Sequence, residues 1–226
     1  MNLRPISFPL AALALASIAG PAAAQELSFN VGAASDYVFR GVSQTDGNAQ
    51  VFAGADLSMG DWYAGVWASN VDFNDGTDAE FDVYGGYTTT LGIASLDFGV
   101  LYYAYVDPPA GPNPNYFELQ AKASVPVGPA TLGGQLYFTP DYYGSGSDAW
   151  YYEVNGAYSP TDAVTFSAAL GREEIADGGS YTTWNAGVGY ALTDNLAVDL
   201  RYHDTDRHSL GKTYGNRAVV SLKATF

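Results

Sequence analysis

The charged residues of this chain recur at alternate positions of its apolar runs, a spacing better suited to sorting solutes than to making bonds. Asp36, Arg40, Asp56, Glu80, Asp82, Asp97, Glu118, Lys122, Glu153, Asp199, Arg201, His203, Arg217 and Lys223 fall on one phase, opposite to Leu96, Phe117 and Val198. Successive side chains of a strand point to opposite faces, so these groups share one surface, with Gln120, Gln135, Asn155 and Asn185 between them. Around a water-filled space, such a mixed lining would screen polar solutes through a transverse field. Paired off, the same charges would close the space as a salt-bridge network.

Bond-making chemistry is poorly supported. His203 and His208 are the two histidines; Asp199 lies four residues before His203 and could orient it, but no local motif ties a serine to the pair. The run Asp72-Phe73-Asn74-Asp75-Gly76-Thr77-Asp78 has its glycine at the fifth place, where a calcium loop needs it at the sixth, and lacks the bidentate Glu. It reads as an Asp-rich turn. The 26 glycines follow no phosphate-binding pattern, and cysteine is absent. No catalytic, cofactor or metal site is expected, and the chain is not expected to be an enzyme.

These side chains must be positioned by strands. Residues 94–105 place Leu96, Phe98, Val100 and Tyr102 on one face and Asp97, Gly99 and Tyr103 on the other. Comparable runs predict twelve strands near 27–41, 50–58, 62–70, 80–90, 94–105, 115–125, 130–139, 149–158, 164–172, 182–190, 196–203 and 217–226. Tight connections such as Met59-Gly60-Asp61 and Leu91-Gly92-Ile93 alternate with long polar ones such as 106–114 and 204–216. An even strand count with short and long connections in alternation is the pattern of a bacterial outer-membrane barrel. The expected fold is therefore all-β, a transmembrane antiparallel up-and-down β-barrel of about twelve strands.

The aromatic residues of the apolar face agree. Phe81 and Tyr87, Trp150 and Tyr158, and Trp184 and Tyr190 sit near opposite ends of their strands, one ring for each membrane interface. A soluble β-sandwich also alternates, but does not predict that spacing together with the alternating connections. Small Gly and Ala on the inner face, in a barrel wider than the eight-stranded kind, favour an open lumen.

The first 24 residues read as a secretory signal peptide: Arg4, an apolar run from Phe8 to Ala19, and Ala22-Ala23-Ala24 before Gln25. The barrel would occupy 25–226. Without Arg4, eight Lys and Arg stand against 24 Asp and Glu, a formal charge of −16. Such a chain repels nucleic acid. Later, the longest uncharged stretch, 123–139, is interrupted by Pro126, Pro129, Gly128, Gly133 and Gly134 and cannot be a spanning helix.

The segments Ala34-Ser35-Asp36-Tyr37-Val38-Phe39-Arg40-Gly41-Val42-Ser43-Gln44-Thr45-Asp46, Tyr63 to Phe73 and Asp82-Val83-Tyr84-Gly85-Gly86-Tyr87 resemble the TorF family of porin-like proteins, also known as the Gcw_chp group. The resemblance is specific over residues 34–87 and follows the strand layout elsewhere. It implies an outer-membrane barrel acting as a channel, in some members associated with genes for respiration on small oxidised amines. Within its first segment, Asp36 and Arg40 are expected roughly 13 Å apart on one inward strand face, each bonding to a neighbouring strand. Arg217 or Lys223 is the expected partner of Asp36, and Trp67 and Asn70 are expected to support the mouth.

The reading at this level is passive admission of small hydrophilic solutes across the cell outer membrane. Loop acids such as Asp72, Asp75, Asp107, Asp141 and Glu173 would favour cations or zwitterions. Expected partners are outer-membrane lipid, lipopolysaccharide and small polar solutes; a homo-oligomer stays open as a further partner, although no separate strip for its interface stands out from the apolar band. The rival is a structural or adhesive barrel with a closed lumen, displaying Gly- and Tyr-rich loops such as 139–149.

Overall fold

Twelve long strands hydrogen-bond edge to edge into one closed antiparallel barrel in the computed structural model, which describes residues 25–226. They are β1 (Glu26–Ala34), β4 (Gln50–Met59), β5 (Trp62–Asn70), β6 (Ala79–Leu91), β7 (Ala94–Val106), β8 (Tyr116–Val127), β9 (Ala130–Thr139), β10 (Ala149–Tyr158), β11 (Val164–Ile175), β12 (Tyr181–Ala191), β13 (Leu196–Thr205) and β14 (Arg217–Thr225). A two-residue pair, β2 (Val38–Phe39) and β3 (Val42–Ser43), stands apart from the barrel sheet. Closure is made by β1 against β14, with Asn30 opposite Thr225, and by reciprocal backbone bonds between Phe29 and Phe226 at 3.0 and 2.9 Å. The proposed signal peptide lies outside the described residues.

Turn chemistry fixes the hairpins at one end. Gly60, Gly92 and Gly128 open two-residue turns with φ of 65°, 63° and 62°. Positive φ at the first turn position matches the right-handed twist of the flanking strands. The opposite end carries the longer connections: L1 (35–49), L2 (71–78), L3 (107–115), L4 (140–148), L5 (176–180) and L6 (206–216).

Eleven strands fall within three residues of their expected bounds at each end. The first does not. It stops at Ala34 rather than continuing to 41, and the chain leaves the wall after Ser35 N donates to Val220 O at 2.9 Å. The physical reason is local. Asp36 Oδ1 accepts the hydroxyls of Ser43 and Thr45 at 2.6 and 2.8 Å, closing residues 36–45 into a loop that a straight strand could not form.

The outward face is apolar and uncovered by protein. Val51, Val100, Leu119, Val154, Leu170 and Leu200 are all exposed, as are Phe81 and Trp184 near the long-loop end and Tyr158 and Tyr190 near the short-turn end. One closed sheet has no second sheet to bury that face, which removes the sandwich alternative. Val100→Arg, near the middle of β7, is expected to destabilise the barrel in lipid by about 2–4 kcal/mol, read by urea unfolding in vesicles. Ser221→Arg, on the inner face, should cost much less.

Candidate functional site

L1 turns into the barrel and crosses it. Its tip, Arg40-Gly41, has φ of 47° and 85°, the left-handed region, which reverses the chain between β2 and β3. Glycine adopts that conformation freely; arginine does so at a cost and only when held. Gly41 lies against the side chains of Thr183 on β12 and Thr205 on β13, so close that a Cβ would collide with Thr183.

Arg40 is held from several sides. Nη1 and Nη2 donate to Glu118 Oε1 and Oε2 on β8 at 2.9 and 2.7 Å, and Nη1 also donates to Glu173 Oε2 on β11 at 3.1 Å. Its guanidinium lies over the rings of Tyr151, Phe39 and Tyr137 at 4.4, 4.6 and 4.7 Å from their centroids. The three charged side chains are at most 3% exposed. The bidentate pair and the ring faces use the planar fork of arginine in a way an ammonium could not.

Further ties ring the loop. Tyr37 donates to Glu80 on β6 at 2.7 Å and packs edge-on against Trp67 of β5 at 5.5 Å. Asp36 accepts Arg217 Nη1 of β14 at 2.8 Å. Asn70 clasps the loop's exit, donating to Ala49 O at 3.0 Å while its side-chain oxygen accepts Val51 N at 2.7 Å. On the outer side, Lys212 of L6 bonds Asp46 at 2.6 Å. That hydrogen bond holds the Asp46 carboxyl below the usual range, so the tie is complete at neutral pH and is lost only as pH falls past the depressed value. A cleft of about 400 Å³ lined by Asp36, Asp46, Lys212 and Arg217 opens between L1 and L6.

The expectation of a lumen kept open by small residues fails in its long-loop third. Tyr103, Tyr105 and Tyr116 are buried there, with Tyr103 stacked on Tyr116 at 4.6 Å, and Tyr143 of L4 stacks on Tyr105 at 5.5 Å. Inner glycines elsewhere along the wall serve other inward rings rather than empty space. Gly171 lies under Tyr151 and Gly86 under Tyr63, where a Cβ would overlap each ring, and a Cβ at Gly99 would meet the Gln120 side chain. Tyr142 and Tyr143 turn inward to this cluster, so the L4 tyrosines are not the displayed surface of the adhesive alternative.

Below the loop the lining is polar. Asp97 accepts Tyr63 Oη at 2.7 Å and lies 3.8 Å from Lys122. Glu153 accepts Tyr151, Gln135 and Asn155 at 2.6, 2.6 and 2.9 Å. Arg201 donates to Asp199, Asn185 and Ser167. Asp56 accepts Tyr84 at 2.5 Å, and Lys223 is the nearby cation of that layer. Among the described residues, the inner face of β6–β11 carries Glu80, Asp82, Asp97, Glu118, Glu153 and Glu173 against Lys122 alone, whereas β13–β14 carries Arg201, Arg217 and Lys223 against Asp199. The two signs are largely segregated to different arcs of the wall, and Arg40 crosses to the acidic one.

The Gcw_chp profile, described as a bacterial protein of unknown function, matches residues 18–226. The chain belongs to this family. No curated protein matches it in sequence. The Gcw_chp barrel is similar in fold to the KdgM porin, with a TM-score of 0.62 at 9% identity over 88% of this chain and 99% of that one. It is similar also to the NanC porin, with a TM-score of 0.56 at 14% identity over 88% and 98% of the two chains. At such identities the likeness concerns fold: a closed porin-type barrel.

Three expectations are corrected in this Gcw_chp chain. Asp36 and Arg40 do not share a strand face; both lie in L1, and Arg40 bonds β8 and β11 far across the lumen rather than a neighbouring strand. Glu173 is not a loop acid: β11 continues to Ile175, and Glu173 points inward with no exposed surface. Its signal was the odd-numbered inward phase of Thr165, Ser167 and Gly171, which runs on to 173. Asp199 does not orient His203, because both its oxygens accept from Arg201 at 3.1 Å. The inward tyrosines Tyr137 and Tyr151 were missed because their phase reads as lumen, where polar groups were sought. The Asp72–Asp78 run is a turn closed by its own carboxylates, with Asp72 accepting Asn74 N and Asp75 accepting Thr77 N.

Proposed function

We propose that this protein is a porin-like outer-membrane channel for small hydrophilic solutes, on the TorF-like branch of its family, with L1 as the constriction. The observation that carries this reading is an inward-folded loop fastened to charged side chains of the lumen wall above a polar lining. Porin selectivity depends on charge and width at a narrowest point, and L1 supplies both. The long loops face outward from the cell and the short turns face the periplasm. The outward apolar band meets outer-membrane lipid, and lipopolysaccharide meets the loop rim.

The acid excess on β6–β11 supports admission of cations or zwitterions over anions. A zwitterion would align across the lumen, its cationic end toward β6–β11 and its anionic end toward Arg201, Arg217 and Lys223. In planar bilayers under a salt gradient, a reversal potential of cation-selective sign is expected, and Asp97→Asn with Glu153→Gln should move it toward zero. An anion-selective sign would reject the preference. The second reading, a structural barrel with a closed lumen, is favoured by the tightness of the Arg40 contacts. Liposome swelling separates the two: proteoliposomes that exclude sugars and amino acids of every small size would leave only the closed barrel.

A further inference from the structure

The contacts of Arg40 define more than a fastening. Two carboxylates from β8 and β11 and two aromatic faces from β9 and β10 come from the wall, and the wall does not depend on L1 for its shape, since all four residues sit on continuous barrel strands. The guanidinium that fills this pocket arrives on a loop that has left the sheet. We propose that Glu118, Glu173, Tyr137 and Tyr151 form a guanidinium-binding site on the lumen wall, that Arg40 is its resident and displaceable occupant, and that the solutes this barrel recognises carry a guanidinium.

Three observations converge on that ligand class. Glu118 meets Arg40 as a parallel fork of two bonds at 2.9 and 2.7 Å, the geometry of guanidinium and carboxylate. Tyr137 and Tyr151 present their ring faces at 4.7 and 4.4 Å, an arrangement that favours a flat, weakly hydrated cation over a compact, strongly hydrated ammonium. The acceptor capacity of the region also exceeds what Arg40 uses: Asp82, 4% exposed, lies two strands from Glu118 and keeps a carboxyl oxygen with no hydrogen-bond partner. The resident is also held under strain, with Arg40 at φ 47°, so a free guanidinium can occupy the pocket without the backbone cost that the loop bears.

The binding part stands without conduction; the solute-recognition part rests on the channel reading. The test uses the full barrel in detergent micelles, with folding checked by heat-dependent gel mobility, and ethylguanidinium as the probe against ethylammonium. Calorimetric titration of Arg40→Ala is expected to show ethylguanidinium binding about tenfold tighter than ethylammonium, since the ammonium lacks the fork. The variant R40A/E118Q/E173Q should lose that preference. Wild type should bind the probe more weakly than R40A, because Arg40 competes for the pocket. If R40A does not fold, R40K, which keeps the charge, serves instead and should bind ethylguanidinium more tightly than wild type. Equal binding of the two cations by R40A or R40K, or a preference unchanged by the carboxylate substitutions, overturns the proposal. Selective binding in micelles, with no solute passage through wild type or R40A in bilayers, would uphold the site and reject the channel.

Discussion

Arg40→Ala is expected to raise single-channel conductance severalfold over wild type, because L1 loses the contact that holds it across the lumen. Removing one partner of a buried ion pair typically costs about 3–5 kcal/mol, since the remaining charge is left without compensation. Here two carboxylates, Glu118 and Glu173, are left, both essentially without exposure. At roughly 1.4 kcal/mol per factor of ten, a cost of that size shifts the seated-to-released ratio of the loop by about two to four orders of magnitude. The barrel itself should survive, because its wall is held by backbone pairing between twelve strands and L1 beyond Ser35 contributes none of it. Unchanged gel mobility together with higher conductance is therefore the expected pair of results. Unchanged conductance in a folded variant would mean that L1 is not the constriction.

Gly41→Val is expected to unseat the same loop by a different route, leaving every charge in place. At φ 85° a β-branched residue is strained by about 1–3 kcal/mol, and its side chain would also meet Thr183 and Thr205. Gly47 provides the control. It has nearly the same backbone conformation, φ 82°, but open space where a Cβ would go, so Gly47→Ala should show only the backbone cost. Conductance should rise clearly for Gly41→Val and little for Gly47→Ala. Equal responses would assign the effect to backbone strain anywhere in L1 rather than to the fit of the tip between β12 and β13.

The two substitutions separate charge from shape. Arg40→Ala releases the tip by removing attraction from β8 and β11, and Gly41→Val by adding repulsion from β12 and β13. In the first case a soluble guanidinium can refill the vacated pocket, whereas in the second Arg40 still competes for it. Addition of ethylguanidinium should thus affect the R40A channel more strongly than the G41V channel.

Alternation of side chains is a local property of the chain, and from it the twelve strands, their inward and outward faces, and the alternation of short turns and long loops were all legible. A period of two needs only neighbouring residues to declare itself: Leu96 and Asp97, or Phe117 and Glu118, reveal the two sides of the wall without knowledge of any partner. The pairing of Asp36 with Arg217 was also within reach, because a closed barrel must bring the first and last strands together. The place of L1 was not. Residues 34–41 alternate well enough to read as strand, and only the hydroxyls of Ser43 and Thr45 on Asp36, together with the distant carboxylates of Glu118 and Glu173, turn that segment into the lumen. Contacts between residues 78 and 133 positions apart leave no trace in a local pattern. The sequence by itself thus determined the wall, through backbone geometry; the tertiary structure alone decided what stands within it, because a buried charge settles wherever the closed sheet gathers its counter-charges.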